Sequence, residues 1–124
     1  MKTRMPITRQ SVTHKAVIHA AEGRIKFFIV VGIYENGLPG ELFITCDETG
    51  STLDGFADSW AIAISMLLQT GTTLAQLVEK FAYQGFEPSG LTDCPEVRHA
   101  RSPVDYCVRW MEAEFGTHTG ENPS

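Results

Sequence analysis

The sequence has few cysteines and lacks any segment that would place it in a membrane or mark it for export. No apolar run reaches the ~18 residues that a transmembrane helix needs, and the N-terminus has no apolar signal-peptide core. The three cysteines, Cys46, Cys94 and Cys107, are too few and too scattered for a disulfide framework. These absences predict a cytoplasmic protein without a membrane partner.

Metal-ligand spacings and common enzyme motifs are also missing. Zinc sites usually combine two pairs of ligands that are two to five residues apart, whereas Cys94 and His99 are the one cysteine–histidine pair at such a spacing. The chain has no G-x-S-x-G, no P-loop and no G-x-G-x-x-G, so hydrolase and kinase chemistry have no support. We therefore predict no metal site and no catalytic residue.

The charge is unevenly distributed along the chain. The net charge is −5, yet residues 1–26 hold six of the ten basic side chains and one acid, Glu22. Residues 1–11 are then either a solvated basic arm or an arm that contacts phosphates or an acidic partner surface. Because this arm has no interleaved aromatic residues, we expect no direct binding of nucleic acid.

What is present predicts one globular domain that begins with strands. Its 124 residues are 43% hydrophobic and 20% charged, which is ordinary for a single soluble domain. Strands are predicted at 12–20, 24–34 and 41–46, with the Asn36-Gly37 turn signal between the last two. From Phe27 onward both faces of the second strand are apolar, which predicts cover on both sides, by helices and by another subunit.

Three helices are predicted after the strands, at 54–69, from about Thr73 to Phe81, and from Ser102 as N-cap to Phe115. The first is apolar nearly all round and is expected to be the central core helix. In the third, Tyr106 and Trp110 lie outside the predicted buried stripe and could stack a base or contact a subunit. Residues 116–124 are expected to be disordered. The result is an α+β domain, a three-stranded antiparallel β-meander followed by three helices packed on the sheet.

The segment Gly85–Gly90, "GFEPSG", begins a connection that is predicted to run as a loop to Pro95. Arginines near a helix start favour anion binding, and Glu87 could accept hydrogen bonds from ribose hydroxyls or a base edge. Two alternatives stay open: Glu87 pairs with an arginine and only fixes the loop, and Asp105–Arg109 is an ordinary intrahelical pair. The candidate ligand-binding residues are Glu87, Ser89, Arg98, Arg101, Ser102 and Arg109.

Several motifs occur in an order that resembles a known family. "SVTHKAVI", "VVGIYENGLPGELFI", "GSTLDGFADSWAIAISMLLQTG", "LVEKFAYQGFEPSG" and "SPVDYCVRW" are similar to the C-terminal, TSCPD-type domain of cobalamin-dependent (class II) ribonucleotide reductases. The resemblance covers roughly residues 5–115, and the domain itself is predicted at residues 12–115. "GFEPSG" matches that family's "RFEPSG", with Gly85 in place of an arginine. The motif that names the family is absent, since "TDCPE" at 92–96 agrees with it only in part, and residues 116–124 lack the family's redox cysteines.

The resemblance implies a role in deoxyribonucleotide synthesis without catalysis by this chain alone. The family's cysteine triad, glutamate and cobalamin site belong to a large barrel that 124 residues cannot hold, so cobalamin would belong to a partner. We expect a stand-alone accessory or detached part of a ribonucleoside-diphosphate reductase, with the catalytic subunit or a second copy as partner. The alternative is a small oligomeric protein that binds or sequesters nucleotides or cyclic-nucleotide signals, of the phage anti-defence type, with pockets between subunits near Glu87, Arg98 and Arg101.

Overall fold

The computed structural model describes residues 4–46 and 52–116. The expected disordered tail, apart from Gly116, and the first three residues of the basic arm lie outside the described residues. The described part is an α+β domain, as predicted. Its elements, in chain order, are β1 (Gln10–Ala20), β2 (Gly23–Ile33), β3 (Pro39–Cys46), α1 (Thr52–Gln69), α2 (Leu74–Phe81), β4 (Gly90–Cys94), β5 (Val97–Ala100) and α3 (Pro103–Phe115).

The sheet has five antiparallel strands in the order β3-β2-β1-β4-β5. The predicted meander is present as β1, β2 and β3, but the prediction of only three strands was wrong. The connection predicted as a loop to Pro95 contains β4, which pairs with β1 through Ile18 and Thr92. Strand β4 has only five residues and is followed by Pro95, so its sequence shows almost no alternation of apolar and polar side chains. Its pairing with β1 therefore specifies this strand.

The helices cover one face of the sheet. In β2 the side chains of Phe27, Ile29 and Val31 are buried on that face, whereas Phe28 and Val30 point to the opposite face and are only partly buried. The buried strand side chains and those of all three helices form one core cluster. Among the described residues no helix covers the opposite face. The described part of the chain therefore covers β2 on one side only, whereas the sequence predicted cover on both sides.

The central helix is α3, and the prediction that α1 is central was wrong. Seven residues of α3 are buried, whereas α1 buries only Ala61, Ile64 and Leu68. On the outer side of α1, Phe56 is 74% exposed and Met66 is 65% exposed. Because β4 and β5 extend the sheet beyond β1, the middle of the sheet lies under α3, and α1 is displaced to the β3 edge.

Helix α1 covers the outer edge of β3 with polar side chains. Ser65 Oγ accepts a hydrogen bond from the backbone N–H of Leu42 at 2.8 Å and donates to the Leu42 carbonyl at 3.1 Å. Gln69 Nε2 donates to the Gly40 carbonyl at 2.9 Å. These bonds satisfy edge groups that would otherwise be available to pair with another strand.

The starts of the two later helices follow the sequence signals. Thr73 and Gln76 form a capping box at the start of α2. Ser102 is the N-cap of α3, its side chain accepts from the Asp105 N–H, and Pro103 occupies the first turn. The predicted N-cap at Ser102 and the predicted start of the second helix near Thr73 are therefore confirmed.

Candidate functional site

The predicted site residues Glu87 and Ser89 lie in the exposed connection between α2 and β4. The Glu87 carboxylate accepts hydrogen bonds from the Ser89 backbone N–H at 3.2 Å and from the Ser89 hydroxyl at 3.0 Å. The alternative in which Glu87 pairs with an arginine does not occur among the described residues. Both side chains remain accessible to a ligand, and their binding role stays a prediction.

Ser102 is fully buried and its hydroxyl is used twice within the fold. The hydroxyl donates to the Gln84 carbonyl at 2.6 Å and accepts from the Asp105 N–H at 3.0 Å. An anion at this helix start would have to displace these bonds. The geometry therefore gives Ser102 a structural role, as the cap that ties α3 to the segment before β4.

Arg109 lies in a buried network centred on Asp105. Its Nη1 donates to Asp105 Oδ2 at 3.1 Å and to the His99 carbonyl at 2.9 Å, and its guanidinium lies 4.5 Å from the ring centre of Tyr83. The pair Asp105–Arg109 is thus the ordinary intrahelical pair that the sequence allowed. Asp105 also accepts from the backbone N–H of Arg101, at 2.8 Å.

The side chains of the other two candidate arginines lie outside this network. Arg98 lies on β5 and Arg101 lies between β5 and α3, and both are exposed. The Asp105 carboxylate accepts from the Arg101 backbone N–H and from Arg109, and the Ser102 hydroxyl accepts from the Asp105 backbone N–H. Glu87 and Ser89 bond to each other. A single anion pocket made of all six candidates is not formed by the described residues.

Tyr106 and Trp110, predicted to lie outside the core, are buried, at 1% and 4% exposure. Trp110 stacks on the His14 ring with 4.6 Å between centroids, and Tyr106 meets Phe27 edge to face at 5.7 Å. The prediction that this pair could stack a base or contact a subunit was therefore wrong. Because α3 crosses the middle of the sheet, it buries a second stripe in addition to the first.

Tyr106 also belongs to a polar group under α3. Its hydroxyl lies 2.8 Å from His14 Nε2, and the Cys94 thiol lies 3.4 Å from Glu96 Oε1. Desolvation by burial raises the pKa of Tyr106, so the hydroxyl stays protonated and can donate to His14. The same cause lowers the pKa of His14, which favours the neutral ring that can accept this bond.

The "TDCPE" segment forms the tip of the β4–β5 hairpin. Cys94 pairs with Val97 across the turn that contains Pro95, and the Thr92 hydroxyl bonds to the Val97 carbonyl and to the Cys94 N–H. Cys94 is buried, as are Cys46 and Cys107. Burial also raises the pKa of Cys107, so this thiol is not activated as a nucleophile.

An apolar cleft that the sequence analysis missed opens beside "GFEPSG". The cleft measures about 460 Å³, which is within the size range of small-molecule pockets. Sheet side chains, the first half of α1, the end of α2 and the start of α3 surround it. Its lining residues include Phe27, Ile44, Leu53, Phe56, Ala57, Trp60, Phe81, Gln84, Phe86, Glu87, Pro88 and Val104.

One predicted site residue, Glu87, lies on this cleft, whereas Ser89, Ser102 and the three candidate arginines do not line it. Sequence reasoning missed Phe56 and Trp60 because α1 was read as wholly buried. The sequence did contain a signal for an exposed apolar surface on α1, because apolar residues occupy more faces of this helix than one sheet can cover. Part of that excess lines the cleft and part remains exposed.

The open face of the sheet, opposite the helices, is a second surface of interest. Phe43 is 49% exposed and Leu91 is 63% exposed on this face. The strand register places the basic residues Lys15, Arg24 and Lys26 on the same face. Three of the six basic side chains of the first 26 residues thus lie on the same surface, on the two strands between Phe43 and Leu91.

The described residues show neither a metal-ligand cluster nor a membrane-spanning helix. No group of three or more histidine, cysteine or acidic side chains in the described ranges could hold a metal ion. None of the three helices described above is both long and apolar enough to cross a membrane.

Comparison with protein families matches residues 2–115 to the TSCPD domain. Relatives include proteins named vitamin B12-dependent ribonucleotide reductase. The one from Rhodopirellula baltica is 42% identical over 99% of this chain, that from Streptantibioticus cattleyicolor 38% over 93%, and that from Bradyrhizobium diazoefficiens 33% over 92%. The chain spans only 11%, 18% and 9% of these relatives, respectively. No solved structure matches the chain significantly.

Proposed function

Because this chain belongs to the TSCPD domain family, we propose that it acts as an accessory domain of a cobalamin-dependent ribonucleotide reductase, docked on the catalytic barrel. The observation that carries the proposal is the match along nearly the whole chain to reductases of which it covers a small part. The five-stranded sheet and three helices described above leave the reaction to the partner.

The cofactor of such a reductase fits the partner better than this chain. The 460 Å³ cleft is the size of a pocket for a drug-sized molecule, and a corrin ring with its side groups is larger than that. The three thiols are buried within the core. We therefore derive no step through cobalamin and assign no catalytic role to Cys46, Cys94 or Cys107.

We assign docking to the open face of the sheet. Exposed apolar groups at Phe43 and Leu91 would be removed from water by a partner, and each would contribute up to a few kcal/mol at ~25 cal/mol per Å². Lys15 and Arg24 on the same face favour a partner surface with acidic groups.

Co-purification tests this proposal directly. The tagged chain is co-expressed with the Rhodopirellula baltica reductase from which the TSCPD region has been removed. We expect the two to elute together, with a native mass equal to their sum. Elution of each protein alone, at micromolar concentration and low salt, would refute the accessory role.

A matched pair of variants then tests the docking face. Leu91→Glu places a charge on the open face, whereas Leu67→Glu places one on the outer side of α1, where Leu67 is 40% exposed. We expect Leu91→Glu to abolish co-elution and Leu67→Glu to retain it. The opposite result would place docking on α1 and leave the accessory role intact.

A further inference from the structure

Helix α1 carries an apolar surface on its outer side, away from the sheet. On that side Ile62 is 56% exposed, Met66 is 65% exposed and Leu67 is 40% exposed, and Ala63 is exposed between them. We propose that these four residues, the α1 patch, form an interface between two copies of the chain. The α1 patch lies on the helix side of the sheet and not on its open face, so the inference does not depend on the proposed reductase partner.

Helix α1 lacks the charged outer side that a helix at the surface of a monomer usually has. Its buried residues are Ala61, Ile64 and Leu68, and its other faces carry further large apolar side chains. The sequence has no charged residue between Asp58 and Glu79. A single copy therefore leaves a contiguous apolar surface in water, which is typical of an interaction surface.

Hydrogen bonds to β3 fix the orientation of α1 about its own axis. Ser65 Oγ accepts from the Leu42 N–H at 2.8 Å, and Gln69 Nε2 donates to the Gly40 carbonyl at 2.9 Å. Because these bonds hold one side of α1 against the strand edge, the α1 patch cannot turn inward. The patch is thus held in place before a partner arrives, and little ordering is needed on binding.

The absence of charge favours a second copy as the occupant of the α1 patch. Recognition of a different protein is usually directed by complementary charges, and this patch has none. In a twofold dimer both copies contribute the same surface, so an uncharged surface meets no like charge. Homodimer interfaces are also more apolar than those of other complexes.

An antiparallel arrangement of the two α1 helices suits this surface best. With a twofold axis between Ala63 and Met66, each Met66 would lie against the small Ala63 side chain of the other copy. In the same register Ile62 lies opposite Leu67. The two Asp58 side chains are then at opposite ends of the contact, whereas parallel helices would place them side by side and make them repel each other.

The size of the α1 patch limits the strength of the contact. Contact over about two helical turns buries on the order of 800 Å² in total, below the ~1,200–2,000 Å² of stable complexes. We therefore expect a weak dimer, with a Kd of about 10–100 µM. At the low micromolar concentration of the co-purification the chain is then mainly monomeric, so a complex of one chain with one reductase remains the expected species.

Sedimentation velocity of the full chain tests whether copies associate. Between about 5 and 500 µM the weight-average mass should rise from that of one copy towards that of two. The mass of one copy throughout this range would overturn the proposal. A mass that grows beyond two copies would also overturn it, because a twofold contact closes on itself.

Leu67→Glu and Leu91→Glu separate the contact between copies from docking on the reductase. We expect Leu67→Glu to raise the Kd of the dimer about tenfold or more, whereas Leu91→Glu should keep the wild-type Kd. A dimer that persists in Leu67→Glu would overturn the proposal. Loss of reductase co-elution in this variant would do the same, because α1 would then contact the catalytic partner. Circular dichroism checks folding, and Met66→Lys, at a more exposed position, replaces Leu67→Glu if that variant does not fold.

A pair of opposite charges tests the antiparallel register. Chains with Ala63→Glu and chains with Met66→Lys should each remain monomeric, because two charges of the same sign enter one small apolar contact. An equimolar mixture of the two should associate, because the introduced acid lies opposite the introduced base. If the mixture stays monomeric while both variants are folded, the proposed contact is wrong.

Discussion

The Asp105 carboxylate accepts a hydrogen bond from the backbone N–H of Tyr83 at 2.6 Å, across 22 positions of sequence. Tyr83 has a φ of 65°, an uncommon conformation for a residue other than glycine. The same carboxylate accepts from Arg101 N and Arg109 Nη1. One buried acid therefore connects the end of α2, the end of β5 and the body of α3, and it fixes the segment that leads into "GFEPSG".

Removal of this carboxylate should be the most destabilising of the substitutions considered. Asp105→Ala leaves two backbone N–H groups without their acceptor and Arg109 without its charged partner. Loss of one partner of a buried ion pair costs about 3–5 kcal/mol. We expect a loss of this size in the free energy of unfolding, measured with urea.

The control is Glu112→Gln, on the exposed side of the same helix. Exposed charges contribute about 0–1 kcal/mol, so the urea midpoint of this variant should stay close to that of the wild type. A small effect for Asp105→Ala would mean that the three donors find other acceptors, and the connecting role of Asp105 would then be wrong.

The two glycines of "GFEPSG" should respond differently to the same change. Gly90 has a φ of 154°, and a Cβ there would overlap the carbonyl oxygen of His19 on β1. At Gly85 no atom lies within 4 Å of an added Cβ. We expect Gly90→Ala to cost about 1–3 kcal/mol, whereas Gly85→Ala should be neutral or stabilising by up to about 1 kcal/mol.

Thermal unfolding of both variants checks this expectation. Gly85→Arg introduces the arginine of the "RFEPSG" segment. This variant should also have a Tm near that of the wild type, because no atom lies within 4 Å of a Cβ at position 85. Equal shifts for Gly85→Ala and Gly90→Ala would show that β4 does not need the close approach to β1.

The sequence predicted those elements whose signals are local. Ser102 is recognisable as an N-cap from its own side chain and from Pro103 after it, and β1, β2 and β3 are long enough to show their periodicity. Strand β4 is not, because its pairing partner Ile18 lies far away in sequence. A short strand of this kind becomes visible only when the sheet that receives it is known.

The position of each helix on the sheet was the least predictable feature. Phe56, Ala61 and Met66 are all apolar, so periodicity alone could not show that Ala61 alone among them is buried. Once β4 and β5 are added beyond β1, α3 takes the centre and buries Trp110. The cleft follows from the same arrangement, and only its rim residue Glu87 was predicted as a site residue.

Ser65 should be essential for the cover of the β3 edge. Ser65→Ala leaves the N–H and carbonyl of Leu42 without the bonds that the hydroxyl supplies, a loss of about 1–3 kcal/mol. Ser59→Ala, on the exposed side of α1, should be neutral or slightly stabilising because alanine favours helix. Urea unfolding measures the stability of the two variants. Equal free energies of unfolding for Ser65→Ala and Ser59→Ala would show that water replaces the hydrogen bonds of the Ser65 hydroxyl.

His14 should make the domain less stable in mild acid. Desolvation lowers the pKa of His14 in the folded chain below its usual value of about 6.5, although Glu114 and Glu96 oppose this shift. The unfolded chain therefore binds a proton first as the pH falls. The contribution of His14 to stability is constant above the unfolded pKa and decreases as the pH falls through it towards the folded pKa.

The free energy of unfolding should accordingly decrease between pH 7.5 and pH 5.5, and His14→Gln should reduce that decrease. Urea unfolding at both pH values measures it. His99→Gln, on the exposed edge strand β5, is the control and should keep the wild-type difference. If His14→Gln also keeps the wild-type difference, the His14 imidazole has the same pKa in the folded and the unfolded chain. Its position between Tyr106 and Trp110 then does not restrict its protonation.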